Sequence, residues 1–84
     1  MYWDITKVLP QDDYNLYVEL QNGTTGIFDM KPLINTPFFH KLRNADYFKS
    51  VTIVLGALTW PNEEDVDPEI VMQSLKVKDD LLVK

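Results

Sequence analysis

The stretch Tyr14-Asn15-Leu16-Tyr17-Val18-Glu19-Leu20-Gln21-Asn22-Gly23-Thr24-Thr25-Gly26-Ile27-Phe28-Asp29 decides the fold. Tyr14, Leu16, Val18 and Leu20 alternate with Asn15, Tyr17 and Glu19, and a period of two puts one set on a buried sheet face and the other outside. Asn22-Gly23 follows, a pair that tolerates positive φ at both central positions of a tight turn. A two-residue loop there sets Leu20 opposite Thr25, Val18 opposite Ile27 and Tyr17 opposite Phe28. Val18 and Ile27 would then share the inner face, with Tyr17 and Phe28 as an aromatic pair on the outer one. An outer aromatic pair implies cover on both sides of the sheet, by a helix or by another chain.

Upstream, the run from Tyr2 to Leu9 holds Trp3, Ile5, Val8 and Leu9, and Pro10 ends it by removing a backbone donor. With the polar turn Gln11-Asp12-Asp13 it makes a three-stranded antiparallel meander. Downstream, Met30 to Ile34 suggests one helical turn. Thr36-Pro37 opens a helix through Phe38, Phe39, His40, Lys41 and Leu42, and Asn44 both ends it and caps a second short turn over residues 45–48. Val51 to Leu55 and Ala57 to Trp60, separated by Gly56, read as a second hairpin. The acidic loop Asn62-Glu63-Glu64-Asp65 leads to Asp67-Pro68, which opens a helix carrying Ile70, Val71 and Leu75. Lys76 to Lys84 either extends that helix through Val77, Leu81 and Leu82 or frays as a tail. The expected fold class is therefore α+β: a small antiparallel sheet, made of a three-stranded meander plus a second hairpin, with short helices between and after, in one domain over residues 1–84.

At 84 residues the chain can build one core and not two. Its 45% hydrophobic and 12% aromatic content suits a packed globule. No run of about 18 apolar residues is present to span a bilayer, and Met1-Tyr2-Trp3-Asp4 lacks the pattern of a secretory leader, so a cytoplasmic location is the expectation. With no cysteine the domain must rely on packing or self-association, which keeps a homodimer in view. The net charge of -5 and the dispersal of the bases along the chain argue against direct nucleic-acid binding.

Catalytic chemistry is hard to assemble from these residues. His40 is the only histidine, and neither Ser50 nor Ser74 lies in a nucleophile-elbow setting. Glycines at 23, 26 and 56 form no phosphate-binding pattern. A calcium loop counted from Asp65 would place Ile70 and Lys76 where a glycine and a bidentate acid are needed. We therefore expect no enzyme and no cofactor. Two possibilities attach to Trp60: it belongs to the core, or it is an aromatic anchor beside Asn62, Glu63, Glu64 and Asp65 for a partner with a basic patch. Tyr17 and Phe28 join it as candidate interaction residues.

The chain resembles a bacterial family, domain of unknown function 2442. Lys7-Val8-Leu9-Pro10, Asn22-Gly23 before Phe28-Asp29, Pro37-Phe38-Phe39 to Leu42-Arg43, Tyr47-Phe48, and Gly56 before Trp60-Pro61-Asn62 and Asp65 carry the likeness in order. The resemblance implies a small α+β domain with a β-meander and a second hairpin. Some members are similar to one half of a toxin and antitoxin pair, which implies an antitoxin-like role beside a small basic protein. The family carries glycine after its Trp-Pro-Asn motif, where this chain has Glu63, a residue disfavoured at positive φ. The functional expectation is a non-enzymatic protein-protein interaction module; the alternative is a small-ligand or metal-binding domain using the acidic loop after Trp60.

Overall fold

A computed structural model describes residues 3–75. The expected helical extension or tail over 76–84 lies outside the described residues. The elements run β1 (Ile5–Pro10), a 3-10 turn (Asp12–Tyr14), β2 (Asn15–Leu20), β3 (Thr25–Asp29), α1 (Lys31–Ile34), a 3-10 segment (Pro37–Arg43), α2 (Ala45–Phe48), β4 (Thr52–Val54), β5 (Ala57–Thr59), β6 (Asp65–Val66) and α3 (Pro68–Ser74). Two antiparallel sheets of three strands each, β1-β2-β3 and β4-β5-β6, give the α+β architecture. No helix among the described residues is long and apolar enough to cross a membrane.

The meander forms with a different offset from the one the Asn22-Gly23 pair suggests. Tyr17 stands opposite Ile27, Leu16 opposite Phe28 and Val18 opposite Gly26. The loop has three residues: Leu20 N–H donates to Thr24 C=O at 2.8 Å and Gly23 N–H to Leu20 C=O at 2.9 Å. Only Gly23 is left-handed there, at φ 92°, while Asn22 Oδ1 accepts from Thr24 N–H at 2.9 Å. This turn, followed by one left-handed residue, is a common hairpin closure.

A one-residue slip turns a strand over, so Phe28 faces inward and the Tyr17–Phe28 pair does not exist. Two gains explain the choice. Phe28, larger than Ile27, is the residue buried, at 2% exposure against 40%. Gly26 faces inward too, and Leu75 packs over it, its side chain 3.5 Å from where a Cβ would stand. In β1, an irregularity between Ile5 and Lys7 lets Ile5 pair with Leu20 and Val8 with Val18, so both point to the core despite their odd spacing.

The second hairpin gains a third strand that the acidic composition of residues 62–65 concealed: Leu58 pairs with Val66 and Thr59 with Asp65. Its first turn, Leu55-Gly56, has both residues left-handed, at φ 52° and 80°, and Val54 pairs with Ala57 across it. Its second turn repeats the closure of the meander. Trp60 N–H donates to Glu64 C=O at 2.9 Å, Glu63 N–H donates to Trp60 C=O at 2.8 Å, and Glu63 takes the left-handed position at φ 74°.

Helix starts follow their sequence signals with one exception. Asn44 Oδ1 accepts from Tyr47 N–H at 3.0 Å and Asp67 Oδ1 from Glu69 N–H at 2.8 Å, each capping the helix it precedes. Thr36 does not cap; its hydroxyl donates back to Leu33 C=O at 2.7 Å, and the segment after it is 3-10 rather than α. The inner faces of both sheets and the buried sides of the helices converge on one apolar cluster that includes Leu16, Phe28, Leu42, Phe48, Leu58, Trp60 and Val71. The sheets are also tied directly, because Ile5 N–H donates to Gly56 C=O at 2.9 Å.

Candidate functional site

Trp60 is a core residue, 2% exposed. Its indole N–H donates to Phe48 C=O at 2.9 Å, and its ring lies 6.3 Å from that of Phe48. The end of β5 points it inward because β5 and β6 flank it with buried Leu58 and Val66. It is thus no exposed anchor. Phe28 is equally inaccessible, and of the aromatic candidates only Tyr17 reaches the surface, half-buried, with its hydroxyl donating to Glu19 Oε2 at 2.7 Å. That bond, with burial second, holds the Tyr17 phenol above its usual pKa.

The four polar candidates separate as well. Glu64 is 6% exposed, and its carboxylate accepts from the Tyr47 hydroxyl at 2.6 Å. The same hydroxyl accepts from Asn62 N–H at 2.8 Å, so α2 and the Trp60–Glu64 turn are joined through one oxygen. Burial first, and the Glu64 bond second, raise the Tyr47 phenol above its ordinary pKa. Asn62, Glu63 and Asp65 are exposed. Among the described residues no group of three acids or histidines is arranged to hold a metal ion.

What the structure brings together instead is a cleft of about 600 Å³ at the Leu55-Gly56 end of the second sheet. Leu55 stands at its edge, 96% exposed, and Ile70 lies on the α3 side, 49% exposed. Trp3 contributes a partly buried ring. Asp65, Asp67 and Glu69 line it as well, and no basic residue does. Apolar side chains interspersed with acids of a single charge sign suit association with a surface of opposite sign. Asp65 was in the candidate set; Leu55, Ile70 and Trp3 were not. The signal for Leu55 was present in Leu55-Gly56, where a large apolar side chain occupies a turn position that asparagine or glycine fills best.

The sequence model of a family described as protein of unknown function (DUF2442) matches residues 5–76. The match extends over most of the chain, which therefore belongs to that family. Neither the curated proteins nor the solved structures give a significant match.

Proposed function

We propose that this member of the DUF2442 family is a non-enzymatic protein-binding module whose partner is a small basic protein. The carrying observation is Leu55, almost wholly exposed at the tip of a tight turn and lining the same cleft as three acids, Asp65, Asp67 and Glu69. A leucine at this left-handed turn position is disfavoured relative to asparagine by the backbone itself. A lysine- and arginine-rich partner with an apolar contact supplies both what Leu55 lacks and what the three acids attract. An antitoxin-like neutralising role in a bacterial cytoplasm is the biological form of this proposal, supported by the family resemblance and the net charge of -5.

The test is affinity capture from the native host with the wild-type chain and with Leu55→Asn combined with Glu69→Lys. Asparagine suits the turn, and Glu69 is an exposed first-turn residue, so the fold should persist. A basic protein held by the wild type and lost by the variant is the expected result. Equal capture by both, or a wild-type chain that retains no basic protein, would overturn the proposal.

A further inference from the structure

We infer that a second groove, between residues 40–50 and the Pro61-Asn62 turn, binds an acidic, extended peptide segment of a partner protein. It lies at the opposite end of the second sheet from Leu55, because β5 runs from Ala57, next to one turn, to Thr59, next to the other. The groove is shallow and open to solvent, with a volume of about 760 Å³. Lys41 and Arg43 line it, and neither is in an ion pair among the described residues. His40 stands beside them, and Asp46 is the one acid in the lining. In a chain of net charge -5 this is a local reversal of sign.

The remaining hydrogen-bonding capacity points the same way. The Tyr47 hydroxyl is committed to Glu64 and to Asn62 N–H, so Tyr47 offers the groove its ring and not its oxygen. Asn44 Oδ1 is taken by Tyr47 N–H, which leaves the side-chain amide hydrogens. The Ser50 hydroxyl donates to Tyr47 C=O. Guanidinium, ammonium and amide hydrogens are thus uncommitted, with the Asp46 carboxylate and the Asn62 amide oxygen as the opposing acceptors, and a segment carrying carboxylates answers the donors. Pro61 and the Tyr47 ring supply apolar contact for intervening side chains.

A small anion is a poorer occupant. Apart from Tyr47 and Ser50 every lining residue is exposed, so a small molecule could not bury the roughly 70–90% of its surface that such ligands hide. An extended chain laid along the groove can remain solvated on one side and still make repeated contacts.

The experiment uses the full chain and a dye-labelled peptide alternating glutamate and leucine, read by fluorescence anisotropy at low salt. The wild type should bind it, and Lys41→Glu with Arg43→Glu should weaken binding roughly tenfold or more. Lys7→Glu, which changes an exposed base on β1, should leave it unchanged. Amide shifts in the wild-type NMR spectrum should centre on residues 40–50 and Asn62, a readout independent of any variant's folding. No binding by the wild type, equal binding by the double variant, shifts centred elsewhere, tighter binding of a single-stranded oligonucleotide, or full displacement by inorganic phosphate would each overturn the inference.

Discussion

The Tyr47 hydroxyl donates to the buried Glu64 carboxylate across 2.6 Å, and with the bonds from Asn62 N–H to that hydroxyl and from the Trp60 indole to Phe48 C=O it closes α2 onto the turn that ends β5. Glu64 is the only charged side chain in the buried set among the described residues. A buried carboxylate left without its donor is costly, since its desolvation is no longer offset.

Tyr47→Phe should therefore lower the midpoint of urea unfolding, and it should also change the alkaline limb of stability. The folded phenol holds its proton above pH 10.0, where an unfolded tyrosine gives it up. Stability from this source is complete below that pH and declines as pH rises toward the folded pKa. Between pH 9 and 11 the variant should lose stability less steeply than the wild type, by chemical denaturation at each pH; parallel slopes would contradict the linkage.

The offset of the meander makes Phe28 and Ile27 unequal. Phe28→Ala should cost about 3–5 kcal/mol, enough to unfold much of a small domain, and Phe28→Leu is a milder companion. Ile27→Ala, on the open face, should cost less than about 1 kcal/mol. Reversed sensitivities would support the two-residue loop instead.

Three left-handed turn positions invite substitution. Glu63→Gly should stabilise by roughly 0.5–1 kcal/mol, relief of side-chain strain outweighing the added freedom of the unfolded chain. Gly56→Ala should destabilise by more than about 1 kcal/mol, because its φ is 80° and the new Cβ would lie 2.6 Å from Asp4 Cγ. Gly23→Ala has open space around it and only the backbone penalty at φ 92°, so it should fall between these two. Thermal melts of the three variants would rank them.

Lys31 binds two carboxylates, Asp13 Oδ2 at 3.3 Å and Asp29 Oδ1 at 3.1 Å, and its ammonium also donates to Asp13 C=O at 3.1 Å. It thereby steadies a turn in which Asp13 and Tyr14 are both left-handed. The Lys31 backbone N–H, and next to it the ammonium, hold the Asp29 carboxyl below its usual 3.8. Its contribution is present above about pH 4 and disappears as pH falls through the lowered value. Lys31 itself is raised, chiefly by Asp29, so its contribution persists below 10.5 and fades above. Asp29→Ala should flatten the acid limb of a stability profile, and Lys31→Met should flatten the alkaline one. The groups are exposed, so both effects should be modest and reduced by salt.

All strands but β6, and the helix starts at Asn44 and Asp67, were legible because they rest on local signals: alternation from Leu16 to Leu20, the two caps, and the proline at 68. Register was not legible, because Asn22-Gly23 is compatible with loops of two or three residues, and the choice falls to Phe28 seeking the core and Leu75 occupying the space over Gly26. The two-residue turn expected there appears at Leu55-Gly56, where the sequence pair is less typical. Of the candidate site, Asp65 remains on the cleft that the structure presents. Glu64 was expected outward on the strength of its polar neighbours and Trp60 was left between core and surface, whereas Phe48 C=O and the Tyr47 hydroxyl, distant in sequence, draw both in.

The hydrogen bond from Ile5 to Gly56 also governs how the chain can be divided. Cutting between α2 and β4 would leave the amino-terminal fragment with a strand whose first amide lacks its acceptor, and the carboxy-terminal fragment with Trp60 stripped of Phe48. Neither piece should hold structure alone, yet the two should recombine when mixed. In the intact protein, deuterium uptake at the Ile5 amide should wait for complete opening of the molecule rather than for fraying of one edge.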